Sequence, residues 1–148
     1  MAAVTQLSVA IPNSPGKALD LLNALARAKV NLRALSVAEN ADLGIVRMVV
    51  GEIAKAKAVF KKKGLSFSAD PVLAVVVNDS RGALAKMLAP LAKKKINIEY
   101  LYGTTCACGE DSCGCGEDGC DDVIILRVKD PKGAETALNK AGYKTIKP

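Results

Sequence analysis

The chain has no histidine and no tryptophan, and its aromatics are two phenylalanines and three tyrosines in 148 residues. Without histidine there is no side chain poised as a general base near neutral pH, and no imidazole metal ligand. Ser-His-Asp triads, Cys-His pairs and HExxH zinc sites are excluded with it. With so few rings, the core must be built from Val, Ile, Leu and Ala, and little remains to stack on nucleobases. No apolar run approaches the roughly 20 residues of a membrane-spanning helix. The opening MAAVTQLSVA lacks the basic region and long apolar core of a secretory signal. Cysteine is confined to one stretch, Cys106 to Cys120. The expected compartment is therefore the cytoplasm, where thiols stay reduced.

Half the residues are apolar, enough for one compact domain or two small ones. The net charge of +6 is unevenly placed. Residues 104–122 hold six carboxylates and no cation, so that segment carries −6 and the remainder carries +12. A basic body is compatible with nucleic acid. However, the lysines gather as KKKG at 61–64 and KKK at 93–95, where helices are predicted to end and cations offset the helix dipole. Nucleic acid is accordingly not the expected partner.

An internal repeat organises the chain. Shifted by 66 residues, LSVAIPNSPGKALDLLNALARAKVNLRAL (7–35) overlies LAVVVNDSRGALAKMLAPLAKKKINIEYL (73–101) without a gap. Shifted by 78, IVRMVVGEIAKAKAVFKKKGLSF (45–67) overlies VIILRVKDPKGAETALNKAGYKT (123–145). The two offsets differ by 12, so the cysteine stretch is a twelve-residue insertion into the second copy.

Both copies carry the same local signals. QLSVAI and VLAVVV read as buried strands. Each is followed by a turn, PNSPG or NDSRG, with Ser14 a candidate N-cap and Pro15 at the first helical position. Leu19, Leu22, Leu25 and Ala26 fall at helical spacing, as do Leu84, Met87, Leu88 and Leu91. Pro90 is expected to kink its helix. VNLRALSVAE and INIEYLYGTT alternate like half-buried strands, and GIVRMVV and DVIILRV return. Second helices are predicted over 52–63 and 131–141, stopped by Gly64 and Gly142. LSFSAD and YKTIKP close the units.

The predicted class is α+β: two tandem βαββαβ ferredoxin-like units, each a four-stranded antiparallel sheet with its helices on one face. The units are expected at 1–70 and 71–148, divided at Asp70-Pro71, with the acidic, Cys-rich hairpin insertion at about 105–121 in the second. In this topology the first strand of a unit ends at the same end of the sheet as the hairpin joining its second and third strands. The insertion should thus project beside the Asp79–Gly82 turn.

The run IPNSPGKALDLLNALARAKVNLRAL…GIVRMVV, with its Pro-Gly turn, Leu-rich helix and following Asn step, resembles an ACT domain in both copies. The resemblance implies a stand-alone pair of regulatory domains in a bacterial or archaeal cytoplasm. It implies that they bind a small molecule, most often an amino acid, in a seam between paired units. It also implies ligand contacts from the first-turn residue and from the Asn opening the second strand. Here those are Asn13 and Asn31, then Asp79 and Asn97. Asp79 and Arg81 depart from the family pattern, which places more weight on the first turn.

The residues support a parallel reading. Ser14, Gly16, Ser80 and Gly82 lie where backbone could approach a ligand at a helix N-terminus suited to a carboxylate. Asn31 and Asn97 supply donors and an acceptor for a zwitterion. Asn before a strand is equally an ordinary turn residue.

The insertion is itself a repeat, CACGEDS then CGCGEDG then Cys120. Each C-x-C pair is too tight for an easy disulfide. Cys106, Cys108, Cys113, Cys115 and Cys120 would suit Zn²⁺ or another thiophilic metal. Thiol redox sensing and a plain solvated acidic loop are the other readings. No cofactor is otherwise required. Nothing assembles a nucleophile with a base, so no enzyme activity is expected. The expected function is non-catalytic: sensing an amino acid, with homo-oligomers formed through sheet edges and any regulated partner a separate protein. The alternative is a metal-binding or thiol-redox protein on a ferredoxin-like scaffold. No membrane partner is expected.

Overall fold

A computed structural model describes residues 3–104 and 121–147. Its elements run β1 (Ala3–Pro12), α1 (Lys17–Arg27), β2 (Leu32–Asn40), β3 (Leu43–Val50), α2 (Ile53–Lys62), β4 (Phe67–Asn78), α3 (Ala83–Lys93), β5 (Ile98–Thr104), β6 (Asp121–Val128), α4 (Pro131–Lys140) and β7 (Thr145–Ile146). Two compact units form, one from Thr5–Asp70 and the other from Pro71 onward together with Ala3 and Val4.

In the first unit β3 lies between β2 and β1, antiparallel to both. Alternate residues of β1 and β3 point to one face, where Leu7, Val9, Ile11, Val46, Met48 and Val50 are buried. Leu21 and Leu25 of α1 and Ala56 and Phe60 of α2 cover them. The two-residue period of the strands meets the 3.6-residue period of the helices to make one dry layer. The second unit repeats this: β6 lies between β5 and β4, and β7 pairs with β4. Leu73, Val75, Val77, Ile124, Leu126 and Val128 pack under Met87, Leu91, Ala134 and Leu138.

The correspondence extends to single hydrogen bonds. Leu7↔Met48 becomes Leu73↔Leu126, and Pro12↔Leu43 becomes Asn78↔Asp121. The register irregularity at Leu32/Ala34 recurs at Ile98/Tyr100. The amide of Ala10 donates to Ser66 O at 3.0 Å, as that of Val76 donates to Lys144 O at 2.9 Å. The offsets of 66 and 78 hold throughout, so the extra length in the second copy falls between Thr104 and Asp121.

Seven strands form among the described residues where eight were expected. The closing strand of the first unit and the opening strand of the second are one element, β4. Proline at 71 forces the preceding residue into an extended conformation, and an extended residue prolongs a strand as readily as it ends a helix. Helix α3 carries through Pro90 as a single element.

All four helices end in the same bonded hook. The amides of Val30, Leu65, Ile96 and Tyr143 reach back to the carbonyls of Leu25, Phe60, Leu91 and Leu138. The hook needs a left-handed residue just before that amide. Gly64 and Gly142 supply it at φ 66° and 86°, but Lys29 and Lys95 are held at φ 57° and 55°. A lysine there carries the steric cost of its Cβ. Lys29→Gly and Lys95→Gly should each stabilise the protein by about 0.5–1 kcal/mol. Gly142→Ala should lose a similar amount. Urea midpoints check both, and equal midpoints for all three variants would contradict this account of the hooks.

Candidate functional site

The strand-to-helix turn sets the site. Ser14-Pro15-Gly16-Lys17 is a β-turn closed by the Lys17 amide donating to Ser14 O at 3.3 Å. Gly16 has φ 84° and ψ −14°, the third-residue geometry of a type II turn, with proline favoured just before it. In the second unit Ser80-Arg81-Gly82-Ala83 makes the same turn, with Gly82 at φ 78° and ψ 0°. Left-handed φ accounts for glycine at both positions, and the space around each is open.

Ser14 is therefore not the N-cap of α1, and Pro15 is not its first residue. Gly16 stands at the cap, and the helix begins at Lys17 with no side-chain cap bond. The tight turn takes up Ser14 and Pro15, so the helix starts later than composition suggests.

Asn13 fastens this turn to the β2–β3 hairpin. Its amide N–H donates to Asp42 O at 3.0 Å. Its Nδ2 donates to Glu39 Oε2 at 3.2 Å and to Ala41 O at 3.3 Å. Between turn and hairpin lies an open cleft of ≈ 280 Å³. Ile11, Pro12, Ala18 and Val37 form its apolar walls, and Asn13, Ser14 and Glu39 its polar ones. Glu39 is the one ionised side chain among these lining residues. Ala18 belongs to the first turn of α1, so the positive end of the helix dipole borders the same space. An adjoining cleft of ≈ 420 Å³ shares Ile11 and Pro12 and adds Lys17 and Lys63.

Asn31 is placed elsewhere. It precedes β2, at the end of the sheet opposite Asn13, and the nine residues of β2 span roughly 25–30 Å. Its own backbone is engaged: the amide donates to Glu52 Oε2 at 2.9 Å, and its carbonyl accepts from Gly51 N at 3.0 Å. Within one unit the structure brings together Asn13, Ser14 and the Gly16 turn, but not Asn31.

In the second unit Asp79, Ser80 and Gly82 occupy the matching turn and Asn97 the matching position before β5. There Asn78 Nδ2 donates to Ser80 Oγ at 3.0 Å. The insertion's flanks, Thr104 and Asp121, lie at this turn's end of the sheet, with Asp121 opposite Asn78. Cys106, Cys108, Cys113, Cys115 and Cys120 lie outside the described residues. Among the described residues no cluster of three or more His, Cys, Asp or Glu side chains could hold a metal ion. No described helix is long and apolar enough to cross a membrane.

Glu39 and Val37 were not foreseen as site residues. The signal was available, because the topology that sets the insertion beside the second turn also sets the Glu39–Asp42 hairpin beside the first.

Comparison with known proteins agrees with this architecture. The ACT domain pair profile matches residues 2–111, and the chain belongs to that family. Protein BT0572 from Bacteroides thetaiotaomicron superposes with a TM-score of 0.83 at 26% identity, covering 98% of this chain and 92% of that one. The regulatory subunit of aspartate kinase from Thermus thermophilus gives a TM-score of 0.64 at 17% identity, covering 93% and 91%. Its counterpart from Thermus flavus gives 0.62 at 16%, covering 96% and 94%. No functionally curated protein matches the chain.

Asn13→Asp would install the second unit's residue in the first. It removes the donor and sets a second carboxylate beside Glu39. We expect a loss of about 0.5–1.5 kcal/mol at pH 7. Repulsion between the two carboxylates costs stability only while both are charged, so that part of the loss should fade as acid neutralises them. Asn13→Ala removes the donor without adding charge and should show no such recovery. Urea melts at pH 7 and pH 4 distinguish the two, and identical pH behaviour of the variants would contradict the contact with Glu39.

Proposed function

We propose that this ACT domain pair is a non-catalytic regulatory protein that binds a small amino acid in the cleft between the Asn13–Gly16 turn and the Glu39–Asp42 hairpin. The observation that carries the reading is an oriented carboxylate, held by Asn13, in a partly apolar cleft bordered by a helix N-terminus. Glu39 suits the ligand's ammonium group, and the first turn of α1 suits its carboxylate. The volume admits a short aliphatic side chain against Ile11 and Val37. The aspartate kinase proteins that share the fold are themselves described as regulatory subunits. That supports the class of function without naming the ligand.

A titration of the purified chain against the common amino acids, followed by calorimetry and thermal shift, tests this. At least one should bind and raise the melting temperature, and Glu39→Gln should weaken it by about tenfold or more. Absence of any shift across the panel would contradict the reading.

Pairing follows from the edge strand. Leu35 and Val37 on β2 and Leu43 on β3 are 39%, 55% and 49% exposed, a costly arrangement for a free edge. A second copy joined β2 to β2 about a two-fold axis would cover them. It would also carry Asn31 of one chain toward the partner's Asn13 turn and complete a shared site. Val37→Lys should then shift the protein to monomer in light scattering and weaken ligand binding in parallel. A dimer that survives this change would contradict pairing through this edge.

The Cys106–Cys120 insertion supplies a second input in this proposal, a thiophilic metal such as Zn²⁺ held by its C-x-C pairs beside the second turn. Five thiols crowded into fifteen residues favour it. Metal analysis of protein purified under reducing conditions should find about one equivalent per chain. Clearly less would contradict it.

A further inference from the structure

A groove on the helical side of the first unit lies away from the proposed ligand cleft. It has a volume of ≈ 640 Å³ and runs between α1 and α2. Its floor is Ala24, Ala28, Ala58 and Val59, and its rim is Arg27, Lys55, Lys62 and Lys63. No carboxylate is among these lining residues.

The cationic rim draws on both ends of α2. Lys62 and Lys63 sit at the C-terminal end of α2, where the dipole favours cations. Lys55 sits in the first turn of the same helix, just inside its N-cap residue Glu52. With Arg27, in the last turn of α1, it extends the cationic rim along the groove. The corresponding groove of the second unit, ≈ 430 Å³, differs in kind. Gly133 replaces Lys55, Thr136 replaces Ala58, and Asp130 joins the lining. The repeated fold alone therefore does not demand four unopposed cations over an alanine floor.

We infer that the α1–α2 groove of the first unit docks an acidic amphipathic helix of a partner protein. The helices flanking it have eleven and ten residues, about 15 Å or three turns. Alanine side chains let a third helix approach closely along that length. An apolar stripe would lie on Ala24, Ala28 and Ala58, with Asp or Glu on both flanks meeting the cationic rim. Nucleic acid fits less well: its phosphates would find cations, but the methyl-lined floor has no ring to stack on. Helix α1 serves both places, with Ala18 in its first turn lining the ligand cleft and Ala24 and Ala28 lining the groove. A ligand that shifts α1 would thereby alter the dock.

The test is fluorescence anisotropy of the full chain with a labelled synthetic helix of roughly 18 residues, built from Leu, Ala and Glu with leucines at helical spacing. Near-physiological salt should give saturable binding that weakens as salt rises. Affinity should fall about tenfold or more for the same helix with Lys in place of Glu, and for the Lys62→Glu/Lys63→Glu variant. Ala58→Gln narrows the floor at an exposed position without touching the core, and it should have a similar effect. Lys140→Glu in the second unit should leave binding unchanged. Lack of saturable binding, equal affinity for the Lys helix, indifference to Ala58→Gln and Lys62→Glu/Lys63→Glu, or tighter binding of a duplex DNA would each overturn the inference.

Discussion

Three hydrogen bonds from a single residue hold the proposed ligand cleft in shape. The backbone and side-chain amides of Asn13 span from the end of β1 to the hairpin between β2 and β3. The turn that starts α1 and the end of β2 that carries Glu39 are thereby held together. Each bond contributes only modestly to stability, on the order of 1 kcal/mol. Their effect on geometry is larger, because they hold the Glu39 carboxylate beside the turn. An asparagine can do this because it offers donors without charge. An aspartate in its place brings repulsion instead.

That difference separates the two halves of the chain. Their cores, strand registers and helix ends agree position for position, so burial and backbone bonding impose the same solution twice. The halves diverge at one end of the sheet, where Asn13 is exchanged for Asp79 and the four-residue Glu39–Asp42 hairpin for the sixteen-residue segment 105–120. Those two changes occur together, with the residues flanking the segment, Thr104 and Asp121, at the turn's end of the sheet. A copy freed from the short hairpin no longer needs the asparagine that fastened it. Duplicated folds can keep one copy for an original task while the other takes on a new loop. The groove between α1 and α2 shows the same pattern, cationic over alanine in the first unit and mixed in the second.

Much of the fold was legible because it rests on periodicity. The β-branched apolar runs QLSVAI and VLAVVV mark buried strands, and Leu25, Met87 and Leu91 are buried as their helical spacing implies. Leu19, by contrast, is 61% exposed, and Leu21, which that spacing passed over, is buried. The offset between the copies located the insertion to the loop that bears it. What was not legible depends on geometry that composition leaves open. Lys29 and Lys95 take left-handed conformations that many residues can be forced into by packing. Proline at 71 extends a strand instead of ending one. A Ser-Pro-Gly run reads as a helix start, yet the structure spends it on a turn. In the site, Asn13 stood out by its place before the Pro-Gly turn. Glu39 did not, because its role comes from a neighbour 26 residues away. Asn31 was visible as the residue opening a strand, but nothing local shows that it lies at the far end of the sheet from Asn13.

The central claim is that the first unit's turn and hairpin form one ligand cleft. Backbone amide NMR of the intact chain, titrated with whichever amino acid raises its melting temperature, tests this most directly. The account predicts shifts concentrated at residues 13–18 and 37–44, with 79–84 unmoved. Shifts of equal size at both turns, or at the second turn alone, would contradict it.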